Sequence, residues 1–303
     1  MIEEDERLIE ELQRRIQYQL NHTWVNLIDS TAKDQFLSNF KDEERIAGLV
    51  LLDMLLLHNQ AQEKQLMKTL LRKLQLQIYK SNYPYQKENS EQIASIVAEE
   101  MKSAAFIPVI DKNPADSSNA WSSIVREVTG TSDCFYDVET LPILLSTHKK
   151  YIVFYDDMLG TGNQFDDYLK NQRYSLNKKH RLSIAYLLNC NERVQYYYLC
   201  MGGYEEGIKR IKSEYPKLQL IVSEQFTEED SVLSPNNEYW AYYKADERDK
   251  IIKILQKKIE EQKINEPFTR NLTAIFERNR PSNTVFPLYW YNKNDWSPIK
   301  ARE

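Results

Sequence analysis

The fold is decided by the stretch Tyr151-Ile152-Val153-Phe154-Tyr155-Asp156-Asp157-Met158-Leu159-Gly160-Thr161-Gly162-Asn163-Gln164-Phe165. Its first five residues are apolar or aromatic and form a short, bounded run, which predicts a fully buried β-strand. Two adjacent carboxylates, Asp156 and Asp157, follow at the carboxyl end of that strand. A turn with two glycines comes next, and Gln164 begins a segment that can form a helix.

This order of strand, acids, glycine turn and helix indicates a ligand site. In open α/β sheets ligands bind outside the carboxyl ends of the strands. A glycine-rich turn at a helix N-terminus presents unpaired backbone N–H groups to an anion. Paired carboxylates beside it suit sugar hydroxyls or a hard cation. A plainer interpretation stays open, because acids after a strand can merely cap the next helix and Gly-x-Gly is a common turn.

The motif resembles the signature of the type I phosphoribosyltransferase fold: a strand, Asp-Asp, two apolar residues, a small residue, Thr-Gly, a small residue and Thr. The run from Asp156 to Asn163 matches this signature in type, and Gln164 stands where the family usually has Thr. The resemblance implies that Asp156 and Asp157 are the catalytic residues and hold the ribose hydroxyls of phosphoribosyl pyrophosphate. The residues that it implies for the 5′-phosphate are Gly160, Thr161, Gly162, Asn163 and Gln164.

A second turn, one strand earlier, is similar to the family's pyrophosphate-binding turn. It contains Asp116, Ser117 and Ser118, and Arg126 lies about two turns along the following helix, from which it could reach a phosphate. The two serines are equally typical of a helix N-cap, and Arg126 of an ordinary surface residue. Asp116 would repel pyrophosphate unless Mg²⁺ lay between them, so Mg²⁺ is the expected cofactor. Asp156 and Asp157 are the protein groups considered as its direct ligands.

The chain divides by pattern into two parts. Residues 1–103 carry apolar side chains at helical spacing, which predicts an all-helical N-terminal region. From 104 to 303 strands alternate with helices, which predicts an α/β domain with a parallel sheet of the phosphoribosyltransferase type. Residues 245–263 predict an exposed, charged helical insertion, and residues 164–182 predict a helix after the acidic pair. Four of the seven glycines fall in two predicted turns after strands, at positions 160, 162, 202 and 203.

Composition limits the class of protein. Charged residues make up 28%, hydrophobic residues 42%, and the net charge is -5, so neither disorder nor a basic nucleic-acid surface over the whole molecule is expected. Local basic patches leave contact with RNA or DNA open. The widely spaced cysteines, the lack of a signal-like start and the shortness of the apolar runs predict reduced thiols, a cytoplasmic location and no membrane insertion.

Over most of its length the chain also resembles phosphoribosyltransferase-like proteins found beside bacterial anti-phage and conflict systems, retrons among them. This resemblance rests further on the helical segment at 46–57, on Pro108 and on residues 276–287. It implies an effector that acts on a ribose-phosphate or nucleotide, as a transferase of the glycosyltransferase type or by cleaving a nucleotide. It also implies partners from a defence operon, such as a reverse transcriptase with its RNA and DNA. The alternatives are a non-catalytic nucleotide-binding or scaffold subunit and a nucleic-acid-binding subunit.

Overall fold

The computed structural model describes residues 2–84, 89–109, 117–129, 135–147, 149–177, 180–190, 193–261, 270–276 and 296–299. The chain forms two compact units. Residues 62–226 make one, called here the α/β unit, and residues 1–61 with 227–303 make the other, called the helical unit. The boundary between residues 103 and 104 is predicted from a change in the sequence pattern, whereas the two compact units are defined by the contacts within each of them. That boundary stays a prediction.

The described residues include α-helices and β-strands. The helices are α1 (Ile2–His22), α2 (Ser30–Leu37), α3 (Arg45–Asp53), α4 (Gln60–Asn82), α5 (Ser90–Lys102), α6 (Ser117–Thr129), α7 (Leu141–Ser146), α8 (Asn163–Asn171), α9 (Ile184–Cys190), α10 (Glu205–Glu214) and α11 (Ala245–Glu261). The strands are β1 (Leu56–His58), β2 (Ala104–Pro108), β3 (Tyr151–Leu159), β4 (Arg173–Asn177), β5 (His180–Ser183), β6 (Gln195–Tyr204), β7 (Leu218–Phe226) and β8 (Ala274–Phe276).

The α/β unit is built on a four-stranded parallel sheet with the strand order β2-β3-β6-β7. This confirms the predicted α/β fold with a parallel central sheet. β3 lies inside the sheet, where β2 pairs with it as far as Tyr155 and β6 pairs with it as far as Leu159. The strand is therefore longer than the apolar run and includes the acidic pair, because β6 continues beside it and Asp156 pairs with Cys200.

Helices cover both faces of this sheet. Side chains alternate between the faces along each strand, and Phe154 of β3 joins the core formed with α7 to α10. On the other face, the hydroxyls of Tyr155 and Ser122 of α6 lie 2.6 Å apart. Asn82 of α4 donates to the hydroxyl of Tyr151 at 2.6 Å. α4 therefore also packs on this face of the sheet.

Two predictions of local structure are wrong. Residues 164–182 do not form one helix, because α8 ends at Asn171 and the antiparallel pair β4–β5 follows. That hairpin buries Tyr174 in the core, so tertiary packing outweighs the helix-compatible composition. Gly202 and Gly203 lie within β6 and not in a turn, because β6 pairs with β7 as far as Tyr204.

The helical unit combines the beginning and the end of the chain. Its core contains Trp24, which follows α1, Leu51 of α3, Ile251 of α11 and Trp296. β1 pairs with β8 in parallel, so a short strand interrupts the region that was predicted to be all helical. α11 lies within the segment predicted as an exposed helical insertion, and Ile251 and its neighbours on one face of the helix are buried. Within the described ranges, none of the helices is both long and apolar enough to cross a membrane.

Candidate functional site

The acidic pair lies at the carboxyl end of β3 and is buried. Asp156 is 5% exposed and Asp157 is 2% exposed. Since successive side chains of a strand point to opposite faces, Asp156 lies on the face of Phe154 and α8, and Asp157 lies on the face of Tyr155 and α6. The structure therefore brings both carboxylates to the end of one strand but not to one face of the sheet. A ligand that contacted both carboxylates would have to approach from beyond the end of the strand.

Backbone N–H groups hold each carboxylate in place. The N–H of Asp157 donates to Oδ1 of Asp156 at 2.9 Å, and the N–H of Met158 donates to Oδ1 of Asp157 at 2.7 Å. Hydrogen bonds of this kind offset part of the cost of burying a carboxylate. The local backbone thus helps to keep two acids inside the sheet.

Neutral groups surround Asp156 on its face. Burial raises the pKa of the Tyr198 hydroxyl and of the Cys200 thiol far above their ordinary values, and the negative charge of Asp156 raises both further. The same two causes raise the pKa of Tyr168 of α8, whose hydroxyl donates to the carbonyl of Pro108 at 3.2 Å. These three groups stay protonated at neutral pH, so they add no negative charge beside Asp156.

The glycine turn leads directly into α8. Gly162 caps the helix with φ +81°, a backbone conformation that favours glycine. The N–H of Asn163 donates weakly to Oγ1 of Thr161 at 3.4 Å. In the part of the chain that the structure describes, the backbone N–H groups of Gly162, Gln164 and Phe165 have no acceptor. The start of α8 thus has the unpaired donors and the partial positive charge that favour an anion.

Core packing sets the position of this helix start. The ring of Phe165 stacks on that of Tyr198 of β6, with 4.0 Å between the ring centroids. Phe165 also makes an edge contact with Phe154 of β3, at 6.2 Å between centroids. Gln164, the next residue along the chain from Asn163, is exposed. Its amide can donate to a phosphate oxygen, as the Thr hydroxyl of the family signature does.

α10 closes one side of the glycine turn. A Cβ added to Gly207 would lie 2.0 Å from the carbonyl oxygen of Gly160, so the two backbones are in direct contact. A Cβ added to Gly162 would lie 3.1 Å from Ile211. The turn is therefore covered by protein on the α10 side. We did not find Gly207 from the sequence, although an isolated glycine in a helical pattern can indicate close packing.

A buried ionic network joins α8 to α10. The carboxylate of Asp166 is 4% exposed and accepts hydrogen bonds from Lys170, Tyr215 and Arg210 at 2.7, 2.7 and 2.8 Å. Burial would raise the pKa of Asp166, but the hydrogen bonds from Lys170 and Tyr215, together with the charges of Lys170 and Arg210, hold that pKa below its ordinary value. Asp166 and Arg210 lie far apart in sequence and have no local signature, so pattern analysis missed them.

The residues predicted on the pyrophosphate side stay predictions. Asp116 lies outside the described residues, and Ser117 and Ser118 begin α6, but their side chains are not among those described. The guanidinium carbon of Arg126 lies 5.0 Å from the centroid of the Phe135 ring. Its positive charge also acts on Tyr155, whose pKa burial raises to about 12 against the effects of Ser122 and Arg126. The visible contacts of Arg126 are thus with protein aromatic groups.

The donor set fits a metal ion only in part. Within the described residues there is no group of three or more His, Cys, Asp or Glu that could hold a metal ion. The end of β3 offers two carboxylates, Asp156 and Asp157. Mg²⁺ is often bound by one or two carboxylates together with substrate phosphates and water. A carboxylate of this pair would therefore bind Mg²⁺ only together with a phosphorylated ligand, because two carboxylates do not make a protein-only cage.

The family model described as PRTase-CE matches residues 33–302, which include β3, the glycine turn, α8 and α10. No curated protein matches the chain. The match extends over nearly the whole chain, including parts of both compact units.

Proposed function

The chain belongs to the PRTase-CE family and has a phosphoribosyltransferase-like domain, and on that premise we propose that it binds a ribose-phosphate or nucleotide at the carboxyl end of β3. The reaction proposed is substitution at the anomeric carbon of the ribose. The leaving group is pyrophosphate in a transfer reaction, or the base or its nucleotide in a cleavage reaction.

One observation carries this proposal. At the end of β3, two carboxylates precede a helix start whose backbone N–H groups at Gly162, Gln164 and Phe165 lack acceptors among the described residues. Carboxylates suit sugar hydroxyls, and N–H groups at a helix start suit a phosphate. A ribose 5-phosphate contains both hydroxyls and a phosphate. The carboxylates of β3 would bind the hydroxyls, and the start of α8, which follows directly after the turn, would bind the phosphate.

In the proposed mechanism the protein binds and orients the sugar. Asp156 and Asp157 accept hydrogen bonds from ribose hydroxyls, and their negative charge stabilises the positive charge that develops at the anomeric carbon. The bond from that carbon to the leaving oxygen or nitrogen breaks with its electron pair on the leaving group. The nucleophile, a base in transfer or water in cleavage, forms the new bond with its electron pair and loses its proton to solvent. Mg²⁺, when bound with the diphosphate, would supply charge neutralisation on the leaving group.

The biological role is proposed from the resemblance described above. We expect the protein to be an effector of a bacterial anti-phage system such as a retron, located in the cytoplasm. We expect it to be bound by partners that include a reverse transcriptase with its RNA and DNA. Cleavage of nucleotides would be toxic to the host cell and so suits an effector. A reverse transcriptase gene beside this one would support the retron assignment.

The second candidate is a non-catalytic subunit that binds a nucleotide or acts as a scaffold. Three observations favour it: both carboxylates are nearly inaccessible, α10 covers one side of the turn, and Gln164 replaces the usual Thr. In this case the same groups hold a ligand without turnover.

Substrate release and ligand binding distinguish the candidates. We would measure release of pyrophosphate or free base from phosphoribosyl pyrophosphate, nucleotides and a nicotinamide dinucleotide with Mg²⁺. Asp156→Asn and Asp157→Asn are tested singly and together, because the two carboxylates lie on opposite faces. Asp167→Asn, which removes an exposed carboxylate from α8, is the matched control.

The catalytic proposal predicts that the double variant loses about 10²-fold or more of the rate and that Asp167→Asn keeps it. Equal rates in the wild type and the double variant would remove catalysis from this site. Ligand binding that is lost in the double variant, without turnover in any protein, would establish the non-catalytic role. Salt-sensitive nucleic-acid binding that survives the double substitution would point to a nucleic-acid subunit.

A further inference from the structure

Arg210 of α10 holds the first turn of α8. Its Nη1 donates to Oδ1 of Asn163, and its Nη2 donates to Oδ2 of Asp166 at 2.8 Å. Its Nε donates to Glu214 at 3.0 Å. The guanidinium group is planar and rigid, so three partners on different sides fix its position.

This contact decides which way the Asn163 amide faces. Arginine has only hydrogen-bond donors, so the atom of Asn163 beside it must be the amide oxygen. The NH₂ group then lies on the other side of the amide, and it has no acceptor in the described part of the chain. Asn163 is the first residue of α8. Its NH₂ group therefore adds two donors to the helix start that already carries unpaired backbone N–H groups.

The same helix also sets the backbone of the turn. Gly207 of α10 contacts the carbonyl of Gly160, and Ile211 lies against Gly162. Arg210 stands between these two positions in sequence and contacts Asn163. α10 thus contacts the backbone of the turn and holds the Asn163 amide.

We infer that Arg210 is a positioning residue, which holds the Asn163 amide so that its NH₂ group donates to the phosphate monoester of the ligand. The carboxylates of Asp166 and Glu214 pair with the guanidinium of Arg210 and balance its positive charge. Arg210 therefore acts through Asn163 and does not itself bind the phosphate. The inference rests on the proposed function for the identity of the anion site.

Four variants separate orientation from stability. Asn163→Asp keeps an oxygen for Arg210 but replaces the NH₂ donors with a charged oxygen. Asn163→Ala removes both halves of the amide. Arg210→Gln removes the guanidinium donors. Lys209→Gln removes a positive charge from an exposed position on the same helix and is the control. Each protein is measured by thermal unfolding and by calorimetric titration with ribose 5-phosphate.

Asn163→Asp is the decisive variant. Its carboxylate can still accept from Arg210, and an acid is favourable in the first turn of a helix, so we expect an unfolding temperature no lower than that of the wild type. Its affinity for ribose 5-phosphate should fall about tenfold or more, because charge-assisted donors are lost. Asn163→Ala and Arg210→Gln should each lower the unfolding temperature and the affinity. Lys209→Gln should change neither.

A double variant tests whether the two residues act together on the ligand. In the Asn163→Ala background, Arg210→Gln should weaken ribose 5-phosphate binding by less than about twofold, since the amide that it positions is already gone. A second full loss of affinity would mean that Arg210 contacts the ligand by itself, and would overturn the inference.

Other results also refute the inference and are distinguishable from failure of the proposed function. If Asn163→Asp unfolds as early as Asn163→Ala, Arg210 does not hold the amide oxygen. If Asn163→Asp binds ribose 5-phosphate as tightly as the wild type, the NH₂ group is not used. A wild-type protein that does not bind ribose 5-phosphate would refute the proposed function and with it the ligand contact. The unfolding temperatures would still decide whether Arg210 holds Asn163.

Discussion

Gly162 in the turn and Gly207, which contacts the turn from α10, are both required, but for different physical reasons. Gly162 has φ +81°, which a side chain tolerates poorly. Gly207 lies in α10 with ordinary helical geometry, but its backbone approaches the Gly160 carbonyl so closely that a Cβ has no room. The first requirement is conformational and belongs to the residue. The second is steric and belongs to a contact between segments that are far apart in the chain.

Alanine substitution should separate these two requirements. We expect Gly162→Ala to lower the free energy of unfolding by about 1–2 kcal/mol, the cost of a left-handed backbone, because the nearby Ile211 side chain can move. Gly207→Ala should cost about 3 kcal/mol or more, since a Cβ 2.0 Å from a carbonyl oxygen forces α10 away from the turn. Urea unfolding measures both values, with Ser213→Ala on the exposed side of α10 as the control. A Gly207→Ala protein as stable as the wild type would show that α10 does not contact the turn.

Packing of whole elements against one another keeps the turn in place. α8 is attached to the sheet through Phe165 and to α10 through Asp166. Asp166 accepts from Lys170 of its own helix and from Tyr215 and Arg210, so one buried carboxylate connects two helices. The helix start that faces the proposed ligand is thus fixed on two sides.

Stability at this junction should depend on pH. The pKa of Asp166 is lower in the folded protein than its ordinary value of 3.8, so its ionised form stabilises the fold above that value. The contribution is lost as the pH falls through the lowered pKa. We expect Asp166→Asn to cost about 1–3 kcal/mol at pH 7, and its difference from the wild type to shrink in strongly acidic solution. Urea unfolding at a series of pH values tests this, with Asp167→Asn as the control. A difference that does not change with pH would contradict it.

At the scale of the whole molecule, the two ends of the chain form one unit. Residues 1–61 and 227–303 share a core, and β1 pairs with β8 although more than two hundred residues separate them. A nearly buried ion pair also joins the two ends of the chain. Nζ of Lys258 in α11 lies 2.7 Å from Oε2 of Glu44, and the two side chains are 9% and 10% exposed. Burial would raise the pKa of Glu44, but the hydrogen bond from Lys258 holds it below its ordinary value.

Breaking this pair should destabilise the helical unit. Lys258→Met leaves Glu44 buried without its cation, and we expect a loss of about 3–5 kcal/mol in the free energy of unfolding. Adding Glu44→Gln should recover most of that loss, because no unpaired charge remains. Lys257→Met, at an exposed position of α11, is the control. Urea unfolding followed by circular dichroism measures all four proteins. A double variant no more stable than Lys258→Met would mean that the pair is not the cause.

Several features of the fold could not be read from local pattern. The sequence around Tyr174 has a helix-compatible composition, yet β4 and β5 form an antiparallel pair and Tyr174 is buried in the core. Gly202 and Gly203 resemble a turn, yet they extend β6 because β7 pairs with them. In each case a neighbour distant in sequence supplies the energy that overrides the local preference.

The sequence by itself determined the succession at the centre of the protein: a buried strand, two acids, a glycine turn and a helix. These depend on the spacing of apolar residues and on the backbone freedom of glycine, which act between neighbours in the chain. Only the tertiary structure decided that β3 extends past Asp156 and Asp157, that α10 covers the turn and that Arg210 contacts Asn163. Those features come from strand pairing and helix packing between distant segments, and no local pattern of residues encodes such contacts.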